Sequence, residues 1–159
     1  VTELFQNFSA PIVFLHVISA VLWVGGMIAI RFGIHYSMQD IAEPRIKIER
    51  TLDNLRRFFN MVIPAIVLLL ITAIIMIIAL GFKGTPLYSV VIVKEIIWTV
   101  MTIVFITIYL KRNKAQKAFE GGDFLTAKNQ LAPIAKYFIP LNIALGIIAI
   151  FLGVTLRGF

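Results

Sequence analysis

The sequence predicts an all-α fold, an integral membrane four-helix bundle with both termini on the outer side, and three observations carry that reading. Of 159 residues, 60% are hydrophobic and 14% charged, with a mean hydropathy of +0.94, well beyond the roughly 45–50% apolar and 25% charged of a soluble domain. Four stretches reach the roughly 20 apolar residues that cross about 30 Å of hydrocarbon at about 1.5 Å per residue. The basic residues fall almost entirely between those stretches, on one side. A soluble globule, a disordered chain and a coiled coil are excluded, because runs such as Ile63–Leu80 need lipid as their solvent.

The spans are Ala10–Ile30, Met61–Leu80, Val90–Leu110 and Tyr137–Leu156, in a single membrane domain. None alternates with period 2 as barrel strands do, so helices are the way to satisfy the backbone in lipid. The chain opens Val1-Thr2-Glu3-Leu4 without a basic n-region, and its first apolar run is too long for a signal peptide, so that run reads as a retained span. Between the first two spans, Ile41–Phe59 reads as an amphipathic helix after Pro44 that runs into span two. Lys111–Glu120 extends span three, Gly121-Gly122 turns the chain, and Asp123 is the N-cap of a short helix to Gln130. Pro64 and Pro140 fall in the first turns of their spans, where proline costs little.

Topology follows from the basic residues. Arg31, Arg45, Lys47, Arg50, Arg56 and Arg57 lie in the loop 31–60, and Lys111, Arg112, Lys114, Lys117, Lys128 and Lys136 in the loop 111–136; only Lys83 and Arg157 lie on the other side. Both loops are therefore expected in the cytoplasm and the Gly81–Leu87 turn outside, in a multi-pass protein of a bacterial cytoplasmic (inner) membrane. The net charge of +7 is then a topology signal with anionic-lipid contact, and a nucleic-acid partner loses its support.

The chain has no cysteine, which excludes disulfides, iron–sulfur clusters, thiolate metal sites and a cysteine nucleophile. Ionisable groups at membrane depth are costly and mark candidate sites. His16 lies about six residues into span one and Lys94 about four into span three, roughly 9 and 6 Å deep at the helical rise. Met76 lies near the outer end of span two. Three helices thus bring His, Met and Lys to one outer layer. Ser19, Ala20, Trp23 and Met27 share a face with His16, and Trp98, Met101 and Phe105 share one with Lys94. If these stripes face each other they frame a flat apolar slot suited to a tetrapyrrole, with Trp23 and Trp98 as walls. His16 and His35 are roughly 28 Å apart along one helix, so bis-His ligation within one protomer is excluded. Haem b could use His16 with Met76, Lys94 or an open position, or two His16 residues across a homodimer. Copper, with His16 and Met76 as ligands, is the alternative. Bland readings stand beside these: His16 as an interhelical hydrogen-bonding residue, Met76 and Met101 as packing, Lys94 with Glu95 as an interfacial pair, and Arg31 with His35 as headgroup or loop contacts.

The stretch Leu15-His16-Val17-Ile18-Ser19-Ala20-Val21-Leu22-Trp23-Val24-Gly25-Gly26 resembles the opening helix of the copper-resistance protein D (CopD) family. Leu55-Arg56-Arg57-Phe58-Phe59, Thr85-Pro86-Leu87-Tyr88 and Val91-Ile92-Val93-Lys94 also look like that family, and the likeness covers about residues 11 to 112. The HemJ-type protoporphyrinogen oxidases of the same superfamily are similar in Leu15-His16, His35-Tyr36, Arg56-Arg57 with Pro64, and Lys94. That resemblance implies His16 and Lys94 as the functional pair at a haem site. It departs at Ile92, where that family tends to carry histidine, and Gly25-Gly26 leans toward the CopD branch. The expected function is a haem- or porphyrin-binding redox protein, in electron transfer or as a protoporphyrinogen-oxidase-like oxidoreductase with a quinone acceptor. Copper handling is the rival, and a non-catalytic membrane scaffold the third reading.

Overall fold

A computed structural model describes residues 1–156; the outer-side assignment of Arg157 lies outside the described residues. α1 (Thr2–Ile28) continues through a π-helical turn (Ala29–Ile34) into α2 (His35–Gln39). α3 (Pro44–Leu80) and α4 (Tyr88–Glu120) follow, then α5 (Phe124–Pro133), a second π-helical turn (Ile134–Phe138) and α6 (Ile139–Thr155). Grouped through their π-turns these form four rods of 38, 37, 33 and 32 residues, each long and apolar enough to cross a membrane. At about 1.5 Å per residue every rod exceeds the roughly 30 Å of hydrocarbon, so each also extends beyond it.

The helix boundaries largely meet the sequence expectation. α3 starts at Pro44, with proline in its first turn, and runs unbroken into span two. α4 carries span three out to Glu120. Asp123 caps α5 by accepting a hydrogen bond from the Thr126 backbone N–H at 2.9 Å, and Gly122 turns the chain with φ +78°. Pro64 is a correction. Because α3 begins 20 residues earlier, Pro64 sits in the helix interior and deprives the Asn60 carbonyl of its bond. Pro11 is likewise interior, and α1 bends three residues before it, at Phe8 with φ −128° and ψ 30°.

α1 packs against α3 and α6, and α4 packs against α5, α6 and α3. The bundle is turned inside out relative to a soluble one. Isoleucines such as Ile71, Ile74, Ile96, Ile103 and Ile147 point outward, while Trp23, Met27, Phe59, Met101 and Phe105 fill the centre. Lipid solvates the former without penalty, so van der Waals fit rather than water exclusion holds the rods together. That fit is closest at Gly146 of α6, where an added Cβ would lie 2.5 Å from Val24 Cγ2 and 3.2 Å from Met101 Cε. One end of the bundle holds the start of α1, the end of α6 and the 81–87 turn; the other holds α2, α5 and most of the basic residues.

Candidate functional site at the His16 and Lys94 layer

The Gly146 contact sets the register of three helices, since Val24, Met101 and Gly146 share one layer. Toward the end that holds the start of α1, His16 lies eight residues from Val24, Lys94 seven from Met101, and Gly153 seven from Gly146. All three therefore occupy a second layer, roughly 10–12 Å away at the helical rise. α3 adds Thr72 to this layer, because His16 Nδ1 lies 3.0 Å from Thr72 Oγ1.

The hydrogen bonds around Thr72 decide how that histidine is held. Thr72 Oγ1 also lies 2.8 Å from the Leu68 carbonyl and 3.1 Å from that of Leu69. A hydroxyl has one proton, and in a helix it commonly turns back to such a carbonyl. With that proton on the Leu68 side, the Nδ1–H of His16 donates to Thr72 and the ring's basic lone pair is on Nε2, an assignment made from heavy-atom geometry. His16 is half-buried, whereas Thr72 is buried. Met76 lies one turn along α3 from Thr72, on the same face, and is half-buried.

Lys94 reaches the layer from α4. A Cβ at Gly153 would lie 3.0 Å from its Nζ, so the ammonium rests against the bare backbone of α6. The bland alternative for Lys94, an interfacial pair with Glu95, has no ion pair between the two among the described residues, and Glu95 is exposed. Successive helical residues point about 100° apart. Trp98, one turn below Lys94 on the same face, is half-buried, and its indole Nε1 is buried without a hydrogen-bond partner.

The expected slot between the two stripes is not what forms. The His16 stripe turns to α3 and the Lys94 stripe to α6, and they meet at Trp23 and Phe105, whose rings are 6.2 Å apart and cross at 81°. Trp23 is 1% exposed, so this edge-on pair fills the centre rather than framing a gap. Trp23 is thus a core residue below the layer, with Nε1 buried and unpartnered. Trp98, beneath Lys94, is the indole nearer to it.

Two residues that the sequence reading passed over belong here. Thr72 is a partner of His16, and its signal was a hydroxyl one turn from Met76 in an otherwise apolar span. Asn142 of α6 is fully buried; its Nδ2 donates to the Met101 carbonyl at 3.1 Å, and its Oδ1 has no partner. An amide in the middle of a span was the signal. Among the described residues no group of three or more His, Cys, Asp or Glu side chains converges as a metal cluster would. A site here would rest on imidazole, thioether and ammonium instead.

No protein-family model, no curated protein and no solved structure matches this chain.

Proposed function

We propose that the chain is a multi-pass protein of a bacterial cytoplasmic membrane that holds a b-type haem or related porphyrin at the His16 and Lys94 layer, serving electron transfer or porphyrinogen oxidation with a quinone as acceptor. The observation that carries this is the His16–Thr72 bond. Ligating histidines characteristically donate their second ring N–H to a fixed acceptor, which sets the tautomer and the ring orientation. Thr72 is such an acceptor, itself anchored on α3. His16 would be the axial ligand through Nε2, and Lys94 would pair with a propionate, as an ammionium at the same depth suits a carboxylate. The unpartnered Trp98 Nε1 below it is a second donor that an oxygen-bearing ligand would satisfy. A bound haem would supply the one-electron chemistry; the protein's residues hold it, orient it and neutralise its carboxylates.

The basic loops 31–60 and 111–136 favour the cytoplasmic side for that end of the bundle, which puts the His16 layer in the outer half of the membrane. The CopD and HemJ resemblance supports the same pair of residues. The half-exposed position of His16 leaves room for the homodimer arrangement, in which a second protomer supplies the other axial ligand.

Met76 favours a second reading. It shares the α3 face of Thr72, so imidazole and thioether approach the same layer, a ligand pair that suits Cu(I). The deciding experiment is an absorption spectrum of the detergent-purified protein, oxidised and then dithionite-reduced, with copper measured on the same sample. A Soret band that disappears in His16→Ala supports haem. A colourless, copper-loaded sample transfers the site to copper, and a colourless metal-free sample from haem-replete cells refutes both in favour of a scaffold.

A further inference from the structure

At the basic end of the bundle, the two π-helical turns both line one cavity of about 40 Å³, with Ile30, Arg31 and Ile34 from the first and Ile134 and Ala135 from the second. A π-turn widens a helix by one residue and is seldom kept without a use. Here two of them, about a hundred residues apart in sequence, shape the same space. At the 10–15 Å³ that one water-sized group needs, the cavity takes about three such groups.

Arg31, His35, Thr51 and Asn54 are the polar residues of the lining, and Gln39 and Lys47, which lie outside it, hold the imidazole. Lys47 Nζ donates to Gln39 Oε1 at 2.9 Å, and Gln39 Nε2 donates to His35 Nε2 at 3.2 Å. The lysine fixes the amide orientation, the amide fixes the imidazole, and His35 therefore carries its proton on Nδ1. The Asn54 amide makes only a 4.0 Å contact with the Met38 sulfur. The Arg31 guanidinium lies 5.8 Å from the Phe32 ring and 5.7 Å from the Tyr36 ring, and forms no ion pair among the described residues. Among the described residues no carboxylate lines the cavity. The open cleft between α3 and α4 differs in that respect: Arg50, Arg56 and Arg112 are met there by Glu49, Asp53 and Glu120.

We propose that this cavity is a binding site for the phosphodiester headgroup of an anionic phospholipid, with Arg31, His35 and Asn54 donating to its oxygens and the isoleucines meeting the root of its acyl chains. Arginine supplies charge and a forked donor to phosphate. The aliphatic remainder of the lining suits an amphiphile better than a wholly hydrated ion. The cavity lies at the opposite end of the bundle from the His16 layer, so this site does not depend on what that layer binds.

The test is native mass spectrometry of the full-length chain released from detergent after mixing with equal amounts of phosphatidylglycerol and phosphatidylcholine. The expected result is a phosphatidylglycerol adduct favoured about fivefold, the size of one arginine's attraction to an anionic headgroup. Arg31→Gln should bring the two lipids to parity, Asn54→Leu, which removes a donor that both phosphodiesters would use, should weaken both adducts, and Arg57→Gln, whose side chain is exposed and bound to Asp53, should leave the preference and both adducts intact. Parity in the wild type, or an unchanged preference in Arg31→Gln, overturns the proposal. If Arg31→Gln does not fold, the wild-type ratio and Asn54→Leu decide. A rise in melting temperature with millimolar inorganic phosphate equal to that with phosphatidylglycerol would assign the cavity to free phosphate and overturn the lipid.

Discussion

The imidazole Nδ1 of His16 and the hydroxyl of Thr72, 56 residues apart in sequence, lie 3.0 Å from each other across the α1–α3 interface. That bond ties the orientation of a candidate ligand to the packing of two helices. Thr72→Val keeps the shape of the side chain and removes the acceptor. Its expected cost in fold stability is about 1 kcal/mol, typical of an interhelical hydrogen bond in a membrane. The expected loss of bound haem or copper is far larger, about 10- to 100-fold in affinity. Thr72→Ser, which restores the hydroxyl, should recover both. Titration of the purified apoprotein with haem checks the series, and equal affinity in all three proteins would dissociate Thr72 from the site.

Lys94 gives a second, separable prediction. Gly153→Ala would place a methyl group 3.0 Å from Nζ, and the far end of a flexible lysine can move aside at little cost to the fold. The melting temperature of Gly153→Ala should therefore stay near that of the wild type, with some gain from alanine's helix propensity. In the proposed haem site the displaced ammonium would no longer meet a propionate, so haem retention should fall, and Lys94→Met should lower it further. Retention unchanged in both variants would remove Lys94 from the proposed site.

The four spans were legible because lipid demands a continuous apolar run, and length alone then fixes a helix. The α3 start at Pro44 and the Asp123 cap were legible for a local reason: each depends on a few neighbouring residues. The site was legible only as a layer. Counting residues along each span placed His16 and Lys94 at one depth, and the Gly146 register sets them eight and seven residues from the Val24 and Met101 layer. Rotation was not legible. The sequence left open that the His16 and Lys94 stripes face each other, whereas Thr72 draws one toward α3 and the small Gly153 draws the other toward α6. Which helix neighbours which is a non-local property that single-helix periodicity does not encode. The π-turns at Ala29–Ile34 and Ile134–Phe138 were invisible for a similar reason, as one extra residue in a segment of five or six is too short to show as a break in periodicity.

Asp123 predicts a pH dependence. Hydrogen bonds from Thr126, first its hydroxyl and then its backbone N–H, hold the Asp123 carboxyl below its ordinary value. A carboxyl whose folded pKa is depressed contributes stability above its unfolded value of about 3.9, and that contribution is lost as pH falls through the lower folded value. Asp123→Ala should therefore melt at a lower temperature than the wild type at neutral pH, and the two curves should converge in acid. Asp123→Asn, which can still accept from the Thr126 N–H, should fall between them at neutral pH. Coincident curves would mean that the cap adds nothing to α5, and offset curves that stay parallel as the pH falls would mean that its charge adds nothing.

Gly146 gives the sharpest test of the packing. Alanine normally gains up to about 1 kcal/mol over glycine in a helix interior. At Gly146 the new Cβ would sit 2.5 Å from Val24 Cγ2, and Val24 is β-branched, with little freedom to turn its methyl groups away. Overpacking of this kind costs about 1–3 kcal/mol, so Gly146→Ala should be net destabilising. Gly33, with nothing within 4 Å of its added Cβ, is the control: Gly33→Ala should be neutral or stabilising. Val24→Ala alone opens a small cavity and should also destabilise. Combined with Gly146→Ala it removes the clash and lets the new methyl occupy that space, so the double variant should be more stable than the sum of the single losses. A double-mutant cycle of unfolding in detergent measures the difference, and strict additivity would mean that α1 and α6 do not approach as closely as the Gly146 contact requires.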